Sequence, residues 1–192
     1  GPMSVGERHQ DGMAWMQREL DWLALWHQQN NPVLGICLGA QLLAVAAGGA
    51  VQPLRVGLPP QPLKEVGYGA IHWLMKQSNE PLLMGLQPSE LVLHWHSDRI
   101  KLPQTATLLG SSLQCPEQVF RIANHAIGLQ CHMELTTRNL EQWIREDHNY
   151  IVSAMGPDGP ERLRQDGERF GDLLERQGRR FISNALAFLT TQ

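Results

Sequence analysis

Between Gly12 and Gln29 the apolar residues Met13, Met16, Leu20 and Leu23 recur at helical spacing, while Gln17, Arg18 and Asp21 supply a wetter side. Trp15, Trp22 and Trp26 are expected to widen that apolar stripe and pack. Asn30-Asn31-Pro32 ends the helix, because a residue before proline avoids the helical region. Val33 to Ile36 is a short apolar run without alternation, as in a strand covered on both faces. Leu38 to Ala47 is rich in Ala and Leu with almost no polar side, which predicts a buried helix stopped at Gly48-Gly49. Helix, buried strand, helix in this order predicts an α/β layer architecture with a parallel sheet.

The pattern then loosens. Val51 to Pro62 is rich in Pro and Gly and reads as an irregular connection. Lys64 to Trp73 and Leu91 to Trp95 read as strands, with a helical turn opening at Asn79-Glu80-Pro81 between them. Leu108 to Ser111, Gln118 to Ala123 and Ile127 to Cys131 are further short strands, the last two joined by a hairpin at Asn124-His125. Such a succession predicts an antiparallel extension beside the parallel sheet. From Thr136 or Thr137, a plausible N-cap, Leu140, Trp143 and Ile144 mark a helix. Pro160 to Arg180 predicts a solvated helix interrupted at Gly167, Gly171 and Gly178, and Phe181 to Leu189 a separate last helix.

Composition narrows the class. With 192 residues the chain suits one domain with a substantial core, read as 1–150 core and 151–192 C-terminal helices. Sixteen basic and 19 acidic residues give a formal charge of -3, so no electrostatic footprint for nucleic acid or an anionic membrane is present. Three cysteines are too few and too odd in number for a disulfide scaffold, and no apolar run is long enough to span a bilayer. The expected location is cytoplasmic.

The candidate chemistry centres on Gly35-Ile36-Cys37-Leu38-Gly39. An apolar strand leads into a cysteine flanked at two residues by glycines, and a helix follows: the pattern of a nucleophile elbow with Cys in place of Ser. Gly35 and Gly39 both lack the Cβ that would crowd such a turn. The helix N-terminus favours a thiolate over the free thiol, whose ordinary pKa is about 8.5. A buried core cysteine is the ordinary alternative, and the flanking glycines argue against it. Such a nucleophile needs a base and a group to orient that base. Among eight histidines, His132 lies just past an apolar strand, where α/β sheets place catalytic groups. Glu134, two positions on, reaches the same side of an extended chain and can hold the imidazole.

GICLGAQLLA together with GLQCHMELT resembles the class I glutamine amidotransferases, the triad type that releases ammonia from glutamine. GPMSV at the start resembles that family's Gly-Gly-Pro oxyanion turn, and KEVGYGAIHW its Glu-Ile-Gly-Trp segment. HWHSDRIKLPQTATLLGSS and CPEQVFRIANHAIGLQCH resemble the stretch leading to the triad histidine. The resemblance is nearest to stand-alone GMP-synthase-like members. It implies a flavodoxin-like fold, mainly a parallel sheet flanked by helices with a small antiparallel extension. It also implies a Cys37-His132-Glu134 triad, oxyanion donors at the Leu38 N–H and at Gly1, and substrate contacts from Gln41, Gln118 and Phe120. No cofactor is implied. Glutamine would be the small-molecule substrate, and an ammonia acceptor, if used, would be a separate synthetase or acceptor protein. Two departures stand out: Cys131 and Met133 occupy positions where the family motif has Phe and Pro. The strand–helix–strand unit that opens family members is expected to be missing.

Three readings remain open: a glutamine-hydrolysing amidotransferase, a γ-glutamyl hydrolase acting on a conjugate with the same triad, and a catalytically silent binding module. The triad chemistry does not separate the first two. His94-x-His96, Cys115, His125, Cys131 and His132 fit no standard zinc spacing, so no metal site is expected. His96-Ser97-Asp98 is expected to border the cleft.

Overall fold

The computed structural model describes residues 3–190. After a short 3-10 helix, Val5–Glu7, come α1 (Ala14–Gln28), β1 (Val33–Ile36) and α2 (Leu38–Ala46), in the predicted order. β2 (Ala50–Pro53), β3 (Arg55–Val56), β4 (Gln61–Pro62), β5 (Glu65–Trp73), β6 (Ser89–His96) and β7 (Asp98–Lys101) follow. β8 (Ala106–Ser111), β9 (Val119–Ile122) and β10 (Ala126–Leu129) precede three helices: α3 (Thr137–Glu146), α4 (His148–Met155) and α5 (Gly159–Thr190).

A six-stranded sheet of order β1-β10-β9-β8-β5-β6 carries the architecture. Its parallel part, among the described residues, is the β1–β10 pair, and the other four pairings are antiparallel. The antiparallel portion is therefore larger than a small extension; the seven residues between β8 and β9 and the three between β9 and β10 are too few for the crossover that a parallel pair needs. The β9–β10 hairpin lies where expected, but it turns over three residues, with Ala123 at φ 47.

Alternation along β10 sends side chains to two cores. Ile127 and Leu129 face a cluster capped by Phe181, Ala185 and Leu189 of α5. Ala126 faces the opposite cluster, which holds Leu20 and Leu23 of α1 and Leu42 and Leu43 of α2. The ring of Phe120 lies where a Cβ on Gly128 would stand, so that glycine is required by packing. Each fully buried large side chain contributes about 1.5–3 kcal/mol.

Three expectations are corrected. Trp15 and Trp22 are exposed, at 39% and 52%, and Trp22 stacks on Trp26 with ring centroids 5.2 Å apart. A helix advances about 100° per residue, which carries these tryptophans roughly a quarter-turn away from the Met16–Leu20–Leu23 face. Second, the stretch read as an irregular connection contains three short strands, and β2 pairs with β7, a strand the sequence pattern does not announce. Third, α5 is one continuous 32-residue helix. Gly167, Gly171 and Gly178 do not interrupt it; all three are buried, on the side that meets α3 and the residues after β10. A Cβ on Gly167 would come within 2.5 Å of Leu140 Cδ2, and one on Gly178 would strike the Met133 carbonyl. A glycine in a helix interior costs about 1 kcal/mol relative to alanine, and close packing offsets it.

Candidate active site

Parallel pairing sets Ile36 beside Leu129, and the Cys37 N–H donates to the Leu129 carbonyl at 2.7 Å. The chain then turns sharply, with Cys37 at φ 50 and ψ -107, before α2 begins at Leu38. A positive φ at a non-glycine residue is strained, and here it aims the thiol off the end of the strand. Gly35 is necessary for that turn, since its Cβ would lie 2.5 Å from the Gly39 carbonyl oxygen. Gly39 is not: a Cβ there meets nothing within 4 Å, because the position faces outward from the first turn of α2. The two elbow glycines therefore differ. Gly39→Ala should leave the unfolding midpoint in urea almost unchanged, whereas Gly35→Ala should lower it clearly.

Past β10 the chain stays extended. His132 is pinned by paired backbone hydrogen bonds with Leu93, of 2.8 and 3.0 Å. Alternation directs Gln130 and His132 to the Cys37 side and sends Cys131 into the core below α5. Cys131 is fully buried and its thiol is pushed well above the ordinary range, first by desolvation and then by the Glu134 charge. Nδ1 of His132 meets Glu134 Oε1 at 2.6 Å, which assigns the proton to Nδ1 and leaves Nε2 for Cys37. The ring edge rests on Trp143 with centroids 4.8 Å apart. Around the sulfur, Gln130 Nε2 donates at 3.7 Å, and the thiol lies 3.9 Å from the Trp95 carbonyl oxygen.

Electrostatics favour charge separation across this pair. Burial by itself would raise the Cys37 thiol, but the hydrogen bond and charge of His132 outweigh it and bring the pKa down to about 6. Burial by itself would lower His132, but its hydrogen bonds to Cys37 and Glu134 outweigh that and raise it to about 9. The two titrate as a unit. Between those values the pair exists as thiolate and imidazolium. Alkylation of Cys37 by iodoacetamide should accordingly rise with pH to a plateau with a midpoint near 6, where an isolated thiol gives about 8.5. A midpoint above 8 in a mass-spectrometric time course would contradict this assignment.

A cavity of about 250 Å³ opens over the sulfur, with Cys37, Leu38, His132, Trp143, Glu146 and Asp147 in its wall. The remaining expected contacts lie elsewhere. Gln41 is buried beneath the elbow, accepting from the Val5 N–H and donating to Gln130 Oε1. Phe120 belongs to the core under α2. Gln118 donates to Glu65 at 2.8 Å in a buried network behind the site. Gly1 is outside the described residues. His94 and His96 share one face of β6 as expected, both directed at Glu65. Glu65 takes hydrogen bonds from Ser112 and Gln118 and lies 3.1 Å from His96 Nε2. Glu65, His96 and Cys115 bring ligand-type atoms within 4.8 Å of one another. Protein donors already occupy both Glu65 oxygens, and desolvation pushes the Cys115 thiol up to about 12, so the cluster fits an internal hydrogen-bond network better than a cation site. Glu146 and Asp147 carried no motif in the sequence, Trp143 stood out only as part of a helix stripe, and Gln130, inside GLQCHMELT, was not singled out. Only the strand alternation around His132 could have pointed to Gln130.

The model of the family "Glutamine amidotransferase class-I" matches residues 1–150. The chain belongs to that family. It is 36% identical over 124 residues to the glutamine amidotransferase-like protein YfeJ of Salmonella typhimurium, covering 65% of this chain and 49% of that one. It is 35% identical over 106 residues to a GMP synthase [glutamine-hydrolyzing] of Porphyromonas gingivalis, covering 54% of this chain and 19% of that enzyme. The chain thus spans about half the length of the first relative and a fifth of the second. Among solved structures, a glutamine amidotransferase from Thermotoga maritima superposes with a TM-score of 0.79 at 25% identity, over 97% of this chain and 75% of that one. A glutamine amido transferase from Methylobacillus flagellatus gives 0.71 at 25% identity, over 96% and 74%. The α/β architecture and the flanking helices agree with these neighbours. Among the described residues no helix is long and apolar enough to cross a membrane.

Proposed function

We propose that this amidotransferase domain hydrolyses the side-chain amide of glutamine through a Cys37 thioester. The observation carrying the reading is the imidazole of His132, placed between the Cys37 thiol and a carboxylate 2.6 Å from its Nδ1. In this reading the Cys37 thiolate attacks the amide carbon, forming the C–S bond and a tetrahedral oxyanion. The Leu38 N–H at the start of α2 faces that oxygen, and one such donor is typically worth about 3 kcal/mol of barrier. The imidazolium of His132 gives its proton to the departing nitrogen, the C–N bond breaks and ammonia leaves. Neutral His132 then takes a proton from water, which attacks the thioester and releases glutamate. Glu134 keeps the imidazole in the productive tautomer throughout.

The released ammonia would pass to a separate synthetase or acceptor protein. The relatives named GMP synthase [glutamine-hydrolyzing] support this reading. The test is ammonia and glutamate release from glutamine by wild type and by Cys37→Ala. We expect equimolar products from wild type and a loss of at least about 10⁴-fold in the variant. Equal rates in the two proteins would refute the reading.

A further inference from the structure

At the hairpin end of β9 and β10, away from the end of β10 that meets Cys37, another cavity opens. It lies between β9, the 3-10 turn Pro81–Leu83 and the last turns of α5. Its volume is about 540 Å³, in the range of small-molecule sites. Glu80 and Arg121 stand in its wall with Asn79, Met84, Asn184 and Phe188. The Glu80 side chain is 1% exposed, and Arg121 Nε donates to its Oε2 at 3.0 Å. Its other oxygen, Oε1, is buried without a hydrogen-bond partner among the described residues. A buried carboxylate oxygen in that condition is rare, because burial removes water and no protein donor replaces it. The residue lines the cavity, so a polar group entering there is its natural complement. The surroundings are held in place. Arg121 Nη1 donates to the Ala123 carbonyl at 2.8 Å, and Asn184 Nδ2 ties α5 to the Leu82 and Met84 carbonyls at 3.0 and 2.9 Å. A guanidinium has five N–H donors, and the two Arg121 contacts use two of them. The cavity thus sets an unused acceptor beside a donor, with the apolar surfaces of Pro81, Met84 and Phe188 around them.

We propose that this cavity binds a small neutral molecule through an amide or lactam edge, whose N–H donates to Glu80 and whose carbonyl accepts from Arg121. The pair in the wall selects the class. A carboxylate ligand would satisfy Arg121 but bring a second acceptor and a negative charge to Glu80 Oε1. An ammonium ligand would satisfy Oε1 but meet the guanidinium. A neutral edge with a donor next to an acceptor serves both. The apolar body behind that edge would lie along Met84 and Phe188. Primary carboxamides and the lactam bases of nucleosides both carry such an edge, and probes of each kind separate the two sources. The cavity shares no lining residue with the one over Cys37, so the proposal stands apart from the amide-hydrolase reading.

The test is a two-dimensional NMR titration of the full chain with two pairs of probes: benzamide with N,N-dimethylbenzamide, and uridine with 3-methyluridine. In each pair the second molecule lacks the N–H. We expect an N–H-bearing probe to bind at least about tenfold more tightly than its methylated counterpart, with shifted resonances at Asn79, Arg121 and Asn184. Discrimination within the uridine pair assigns the site to lactam bases, and within the benzamide pair to carboxamides. Glu80→Gln puts a donor where the unused acceptor stands and should bring the ratio close to one. Discrimination by methyl bulk alone would survive that change. Because Glu80→Gln also weakens the Arg121 contact and could cost stability, Ala187→Trp is the second variant. Ala187 is exposed on α5 and lines the cavity, so an indole there should displace every probe. Cys37→Ala should bind the probes as wild type does, which keeps this result separate from the fate of the hydrolase reading. Equal binding within both pairs, a ratio unmoved by Glu80→Gln, or binding that survives Ala187→Trp overturns the proposal. So does the absence of any shift at about 10 mM probe, which would mean that solvent alone serves Glu80.

Discussion

Replacing His132 with alanine should lower glutamine turnover by about 10⁴-fold and, at the same time, return the Cys37 thiol towards the range of an ordinary cysteine. Both effects have one cause. The thiol is buried, and burial raises its pKa; what overturns burial is the hydrogen bond and charge of His132. Removing the imidazole leaves a desolvated thiol that keeps weaker support for ionisation, including the Gln130 donor, the His96 charge and the helix start. At pH 7 the thiolate fraction should collapse, and the proton donor for the departing ammonia disappears with it. Stopped-flow alkylation reads the first loss, through a midpoint moving from near 6 to above 8. Product assays read the second. The sign is fixed by the pairing: a thiol whose pKa is depressed by a cation must rise when the cation is deleted. A His132→Ala protein that alkylates at pH 7 as fast as wild type would show that the thiolate has another source. Glu134→Gln should fall in the same direction with a smaller pKa movement, because the amide keeps a hydrogen bond to Nδ1 but withdraws the charge that helps raise His132.

The second large effect is on the helix behind the site. Gly178→Val should destabilise the fold by about 3 kcal/mol, near the upper end of ordinary overpacking costs. The reason is that the atom facing Gly178 is backbone. A Cβ there would overlap the Met133 carbonyl, with the Met133 carbonyl carbon 2.9 Å away, and a peptide unit has no rotamer in which to retreat. At Gly171 the overlapping atom is the methyl of Thr137, which can rotate, so Gly171→Ala serves as the milder control. For a chain of this size about 3 kcal/mol corresponds to roughly 6–12 °C in Tm. Met133 lies between His132 and Glu134. A shift of its carbonyl therefore stretches the 2.6 Å contact that orients the imidazole, and activity should fall further than the folded fraction accounts for. Circular dichroism melts paired with turnover at 10 °C, where the variant is folded, separate the two losses. Unchanged melting in Gly178→Val would mean that α5 does not press on this segment.

How far the sequence reached differs by element. The run from Val33 to Ala47 carried its own structure, because an apolar strand, a cysteine between glycines and an Ala/Leu helix leave few alternatives. His132 and Glu134 were legible because two residues of extended chain bring side chains to one side. The surroundings of Phe120 and Gln118 were not legible: strand alternation turns Phe120 over Gly128 into the core, and Gln118 is drawn into the Glu65 network. The glycines of α5 misled for a physical reason. Glycine weakens a helix only when nothing packs against the missing side chain, and sequence shows the weakness without the partner. The tryptophans of α1 misled similarly, since aromatic spacing records the angle around a helix but not which angle the sheet covers.

What the sequence by itself determined was local: the elbow, the buried strand and helix on either side, and the His-x-Glu that follows β10. These depend on backbone sterics and on side-chain periods of two and 3.6 residues, which act over a few positions. Tertiary structure decided what those groups do to one another. The β1–β10 pairing sets the elbow beside Gln130 and His132, across about a hundred residues of chain. The same closeness depresses the thiol and raises the imidazole, and packing of α3 and α5 adds an acidic wall and a carbonyl contact that no local pattern encodes. Charge–charge and desolvation effects depend on distance in space, and only the folded chain supplies that distance.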